Sequence, residues 1–245
     1  MEPPRLLIGV DDTDNKDDPM GTGKLVRLLW GELETLFPGT ASEGVLRLQL
    51  LVDPRIPYTS HNSPACLILR TPEGTSEFEG IAGAVHAFVR QLSAPGSDPG
   101  VCIARMPDVS REVVEFGLEA ASRVVERERT EALARAAGLH LTALGGDGGG
   151  VIGALAAVGL AVQGSAGRYI DFATLRDLGE EVTAGDLRSL GVEVVSTDRE
   201  GKSPGAREKI HTGGWLRPRR ICGSPVLLVK ESATGWTCYD KKQRS

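Results

Sequence analysis

Arg5-Leu6-Leu7-Ile8-Gly9-Val10-Asp11-Asp12-Thr13-Asp14 is an apolar run that ends abruptly in acid. Residues 5–10 read as a short buried strand, because Leu6, Leu7, Ile8 and Val10 are apolar. Gly9 inside it lets another group approach the backbone closely. Three carboxylates in four residues follow, with Asp17 and Asp18 just behind. Such density repels itself unless water, hydrogen bonds or a cation compensates it. Oxygen ligands of this kind suit a hard divalent ion, Mg²⁺ in particular when phosphates are present. A solvated acidic turn is the simpler reading, since Asp and Asn favour turns for local reasons. A buried strand that aims the turn speaks for the metal.

Working outward, Pro19-Met20-Gly21-Thr22-Gly23-Lys24 leads into a helix that begins near Lys24. Leu25, Leu28, Leu29 and Leu33 repeat at helical spacing and form one apolar face. Gly21 and Gly23 at its start can turn backbone N–H groups toward an anion, and Thr22 can cap it. Gly-Thr-Gly-Lys imitates a phosphate-binding loop, but Leu25 stands where that motif needs Ser or Thr.

A second glycine-rich junction lies far along the chain. Gly145-Gly146-Asp147-Gly148-Gly149-Gly150 joins a strand (140–144) to the small-residue stretch Val151 to Gly159. Strand, glycine loop and helix are the layout of a phosphate cradle, with Gly146, Asp147, Gly148, Gly149 and Gly150 as its backbone donors. The same glycines would also serve a tight turn and a closely packed helix.

Between these junctions, 45–52 alternates like a strand. The stiff, polar loop 53–64 follows, where Tyr58, Ser60, His61 and Asn62 are candidates for a substrate wall. Strands are expected at 65–69 and 101–104, and helices at 81–92 and, capped by Ser110, from 111 to about 137. Beyond 165 a smaller part is expected, with Thr183 as a helix cap, a strand at 192–195, and two strand signals joined by Ser232-Ala233-Thr234-Gly235. The reading is thus a mixed α/β protein with domains at 5–165 and 166–245.

Of 245 residues, 40% are apolar and 25% charged, ordinary for a soluble protein. Aromatics at 4% argue against broad base-stacking platforms. Cys66, Cys102, Cys222 and Cys238 form no C-x-x-C pair, against a zinc ribbon. No signal peptide or spanning segment is evident, so a cytoplasmic protein without membrane contact is expected. The net charge of −5 divides unevenly: residues 202–245 carry +7 and the remainder −12. A basic end suggests RNA or another anionic partner there.

Several of these stretches resemble, in the same order, the archaeal isoleucine-tRNA 2-agmatinylcytidine synthetase family. They are Gly9 to Asp14 with Met20-Gly21-Thr22, Ile56-Pro57-Tyr58, Asp98-Pro99-Gly100-Val101 and Gly148 to Gly159; Pro225-Val226-Leu227 is a weaker match. The resemblance implies a kinase-like nucleotide-binding domain with a smaller ferredoxin-like α+β part. It implies ATP and Mg²⁺ as cofactors, and activation of a cytidine by phosphorylation before agmatine displaces the phosphate. Carried over, Asp11, Asp12 and Asp14 would hold the metal, and Thr22 would be a phosphoacceptor or a positioning hydroxyl. The departures are specific. Thr59 and His61 stand where the family has Lys and Arg, Gly21 replaces its cysteine, and no zinc ribbon is in evidence. Lys24 is a possible substitute cation and joins Asp11, Asp12 and Thr22 among the catalytic candidates. The expected function is an ATP- and Mg²⁺-dependent phosphotransferase or ligase-like enzyme acting on a nucleoside, RNA or small molecule. A non-catalytic nucleotide- or RNA-binding module is the alternative.

Overall fold

The computed structural model describes residues 4–17, 20–56, 61–72, 77–198 and 201–239. It is a mixed α/β protein in two compact units, Met1–Gln163 and Gly164–Ser245. Among the described residues no helix is long and apolar enough to cross a membrane.

The first unit is built on β1 (Arg5–Asp11), α1 (Thr22–Leu36), β2 (Ala41–Arg47), β3 (Ala65–Arg70), α2 (Phe78–Leu92), β4 (Gly100–Arg105), α3 (Arg111–Ala120), α4 (Arg127–Ala136), β5 (His140–Ala143) and α5 (Val151–Gln163). Its strands pair antiparallel in the order β5-β4-β1-β3-β2. β1 is central, and Leu7, Ile8 and Val10 are wholly buried, so both faces of the sheet are covered.

Leu7, Gly9 and Asp11 point to one face, as alternate residues of a strand must. There a Cβ on Gly9 would overlap the Ala154 carbonyl, which brings α5 down onto β1. The opposite face carries α2, whose His86 stacks on His140, a residue in register with Ile103 and, through it, Ile8. α5 is buried almost all round, from Val151 through Ala161, because its Gly and Ala residues admit the sheet on one side and α3 on the other.

Three expectations are corrected here. The strand expected at 45–52 runs instead from Ala41 to Arg47, with a bulge between Ser42 and Gly44. Leu48 and Leu50 still donate to the Pro64 and Asn62 carbonyls, but Pro64 has no N–H to return the bond and the regular ladder stops. The helix expected from 111 to 137 is two helices. Ser122 bonds back to the Leu118 and Glu119 carbonyls where α3 ends. Arg129 then grips Glu119 with two bonds, of 2.8 and 2.7 Å, and ties α4 to α3. The helix-capping position before α1 is Gly21, with Thr22 its first helical residue.

The second unit contains β6 (Arg168–Asp171), β7 (Glu181–Thr183), α6 (Ala184–Ser189), β8 (Glu193–Ser196), β9 (Lys209–His211), β10 (Arg219–Ile221), β11 (Ser224–Ser232) and β12 (Gly235–Cys238). The path β6-β10-β11-β12-β9-β7 forms its sheet, and β8 adds to β11 in parallel. Its core gathers Val182, Leu187, Val194, Ile210, Leu216, Leu227, Val229 and Trp236. Thr183 caps α6 as its residue type predicts: it accepts from Asp186 N at 3.1 Å, and the Asp186 carboxylate closes a capping box.

Candidate functional site

One end of the first unit's sheet collects the exit of β1, the entry to β3, the entry to β4 and the exit of β5. The registers Val10↔Ala65, Asp11↔Gly100 and Gly100↔Ala143 place them side by side. Both junctions singled out in the sequence therefore meet there.

The acidic turn is tightly made. Asp12 takes a left-handed φ of 55°, a conformation that Asp tolerates better than most residues. The next residue, Thr13, is buried; its hydroxyl donates to Thr22 Oγ1 at 3.0 Å, and its carbonyl accepts from Ala94 N at 2.9 Å. Thr22 is thus only 7% exposed and already engaged. The Asp14 carboxylate lies by Gly21, at the start of α1, where a negative charge meets the positive end of the helix. Lys24 is exposed on the first turn of α1.

The glycine loop is braced from two sides. Asp147 N donates to Asp98 Oδ1 at 2.8 Å, Gly149 N to Asp147 Oδ1 at 2.9 Å, and Gly150 N to the Asp98 carbonyl at 3.1 Å. Gly150 fits only because it lacks a Cβ, which would overlap the Asp98 carbonyl. From the other side Arg127, at the start of α4, donates Nη1 to the Asp147 carbonyl and Nε to Glu131 at 2.7 Å, and its guanidinium covers Gly148. The N–H groups of Asp147, Gly149 and Gly150 are therefore spent within the fold. Gly146 is exposed, and among the described residues no acceptor takes its N–H.

The two junctions touch through Asp11, whose carboxylate lies where a Gly153 Cβ would be, on the first turn of α5. Burial pushes the Asp11 carboxyl up to about 8, with repulsion from Asp12 and Asp14 adding to it. Asp12 rises to about 6, by burial first and then by Asp98, Asp14 and Asp147. Asp98 rises too, mainly by burial, with Asp147 close beside it. Among the described residues none of Asp11, Asp12, Asp98 and Asp147 forms an ion pair, and no three His, Cys, Asp or Glu side chains converge as a metal cage. Paired, uncompensated carboxylates fit a divalent ion held by one or two of them and otherwise by water and phosphate oxygens, which is how Mg²⁺ is usually bound.

The remaining candidates divide. Tyr58 and Ser60 lie outside the described residues, as do Asp18 and Thr59. His61 is exposed near the same sheet end. Asn62 serves the fold, for its amide donates to the Leu51 carbonyl at 2.7 Å and its own carbonyl accepts from Leu50 N at 3.0 Å. Sequence reading missed two members of the site. Asp98 enters it only as part of a motif, though an acid directly before Pro99-Gly100 and a strand is a visible signal. Arg127 carries no local signal, since it reaches the loop from 20 residues away in the chain.

No protein-family model and no curated protein matches the sequence. Solved structures match the fold. The crystal structure of TiaS in complex with an isoleucine tRNA and ATP aligns with a TM-score of 0.54 at 24% identity, over 64% of this chain and 36% of that one. A complex of TiaS with the same tRNA, AMPCPP and agmatine gives 0.53 at 22%, over 63% and 36%. Apo TiaS, a tRNA agmatidine synthetase, gives 0.53 at 23%, over 63% and 35%. The matched part is thus little more than a third of each of those chains, and at these identities the likeness is one of fold.

Proposed function

We propose that the first unit binds ATP with Mg²⁺ and serves a phosphotransferase or ligase-like reaction related to that of the agmatidine synthetases, on a nucleoside, RNA or small-molecule acceptor. The observation that carries this reading is the meeting of Asp11 and Asp12 with a glycine loop, at one sheet end, with no ion pair to either among the described residues. The neighbours described above, solved with ATP or AMPCPP and tRNA, support it by fold.

In this reading Asp11 and Asp12, with Asp14 nearby, would hold Mg²⁺, which would neutralise the negative charge of the phosphates. The Gly146 N–H would donate to a phosphate oxygen, while Asp98 and Arg127 fix the loop that presents it. Lys24 would supply the positive charge that the family resemblance leads one to miss at Thr59 and His61. Thr22, engaged by Thr13, would position the acidic turn as a hydroxyl acceptor. The basic segment 202–245 would meet an anionic partner such as RNA.

The test is calorimetric titration with ATP and Mg²⁺, followed by nucleotide hydrolysis and by mass spectrometry of Thr22. Failure of the wild type to bind ATP, or equal binding by Asp11→Ala, rejects the reading. A binding module without turnover is the second reading. The burial of Thr22 favours it, because a phosphoacceptor must be reached; binding without hydrolysis or labelling would decide for it.

A further inference from the structure

The second unit carries a feature that the ATP site does not use. Trp215 is 39% exposed, and the guanidinium carbons of Arg176 and Arg217 each lie 4.2 Å from its ring centroid. Both guanidinium groups are thus within cation–π distance of the same ring, and the three side chains form one stack. The stack is anchored from below: Leu175 and Leu216, the chain neighbours of its members, are both buried in the unit's core. Arg176 is also fixed by a 3.1 Å bond from Nη1 to the Ile170 carbonyl. Among the described residues no carboxylate pairs with either arginine, so both charges stand uncompensated beside the ring.

A cavity of about 240 Å³ opens at this stack, lined by Arg176, Leu178, Gly179, Glu180, Gly214 and Trp215. It is smaller than the usual drug-sized site, and planar surfaces wall one side of it. Arginine planes and tryptophan rings are surfaces on which unpaired bases stack, and guanidinium edges take phosphate oxygens. Glu180 opposes a free anion in the same cavity, yet it can accept from the exocyclic amino group of a base. Flat walls, the Arg176 guanidinium in the lining, Arg217 against the same ring and one acceptor describe a nucleotide, not a bare phosphate or an apolar peptide.

We infer that the Arg176–Trp215–Arg217 stack and its cavity form a binding site for an unpaired nucleotide of single-stranded RNA. The base lies against the stack and the phosphates on either side meet the guanidinium edges. The inference deepens the anionic-partner part of the proposed function and stands apart from ATP use.

The test is fluorescence anisotropy of a labelled single-stranded oligoribonucleotide of mixed sequence, titrated with the full chain at several salt concentrations. Trp215→Ala should weaken binding about tenfold with an unchanged salt slope, as loss of one stacked base does. Trp215→Phe should restore most of it. Arg217→Ala should make the salt slope shallower by about 0.7 for each phosphate released. A duplex of the same sequence should compete poorly. Equal binding by wild type and Trp215→Ala, equal competition by the duplex, or no binding at low salt each overturns the site. Thermal melts of every variant distinguish weakened binding from a damaged fold. ATP titrated into the wild type in parallel keeps the two proposals apart: its failure rejects the ATP reading and leaves the RNA result standing.

Discussion

The two ends of the first unit's sheet are built from opposite charges and in opposite ways. At one end Arg5, Arg70 and Arg105 stand on neighbouring strands, with Arg5 opposite Arg70 and Arg105 opposite Leu6. There the fold supplies the partners: Arg5 meets Glu43 at 2.6 Å, and Arg105 lies 4.7 Å over the Phe78 ring. At the other end Asp11, Asp12, Asp98 and Asp147 crowd together, and the one arginine within reach among the described residues, Arg127, spends its bonds on a carbonyl and on Glu131. At the first end Arg5 and Arg105 have their partners within the fold. At the other, no ion pair among the described residues meets the aspartates, and that is the ground on which the cation is proposed there.

The largest expected effect breaks the aspartate end. Asp11→Ala should weaken Mg²⁺–ATP binding by about 2–5 kcal/mol, read by calorimetry, because it removes half of a close charge contact. Next comes pH. Asp11 has a folded value raised from 3.8 to about 8, so the native state holds a proton there that the unfolded chain has lost. Its contribution to stability is therefore intact below about pH 4 and falls as pH rises through the window to about 8. Partial exposure screens the effect, and a loss of about 1–3 kcal/mol between pH 5 and pH 9 is expected in denaturant melts without Mg²⁺. Asp11→Asn should flatten that profile.

A smaller effect separates packing from charge. Gly153→Ala drives a methyl group into the Asp11 carboxylate, and should cost about 1–3 kcal/mol of stability and weaken ATP binding as well. The smallest tests the arginine end. Glu43→Ala removes a partly exposed ion pair and should cost about 0.2–1 kcal/mol, with ATP binding as in the wild type. If Glu43→Ala instead disturbed ATP binding as much as Asp11→Ala, the contrast between the two ends would be wrong.

Much of this contrast is legible in the sequence, for local reasons. An apolar run ending in aspartates, and glycines between a strand and a helix, are written in consecutive residues and survive folding unchanged. Both ends of α2 and the hairpin at 232–235 come out close for the same reason. What is missed depends on residues far apart in the chain. The break between α3 and α4 is bridged by Arg129 on Glu119, ten residues apart, and periodicity across 111–137 gives no hint of it. Asp98 becomes part of the site only when its carboxylate meets Asp147, 49 residues on. A scarcity of aromatics argues against base stacking, yet composition cannot show two arginines closing on one tryptophan.

The left-handed backbone of Asp12 has a consequence for how this turn tolerates change. Only Gly, Asn and Asp occupy that region cheaply, so a mutational scan will find an apparent demand for aspartate with two separate origins. Asn keeps the bend and discards the charge; Glu keeps the charge and strains the bend. Comparing those two replacements would divide the demand into its conformational and electrostatic parts, which no alanine substitution at this position can do.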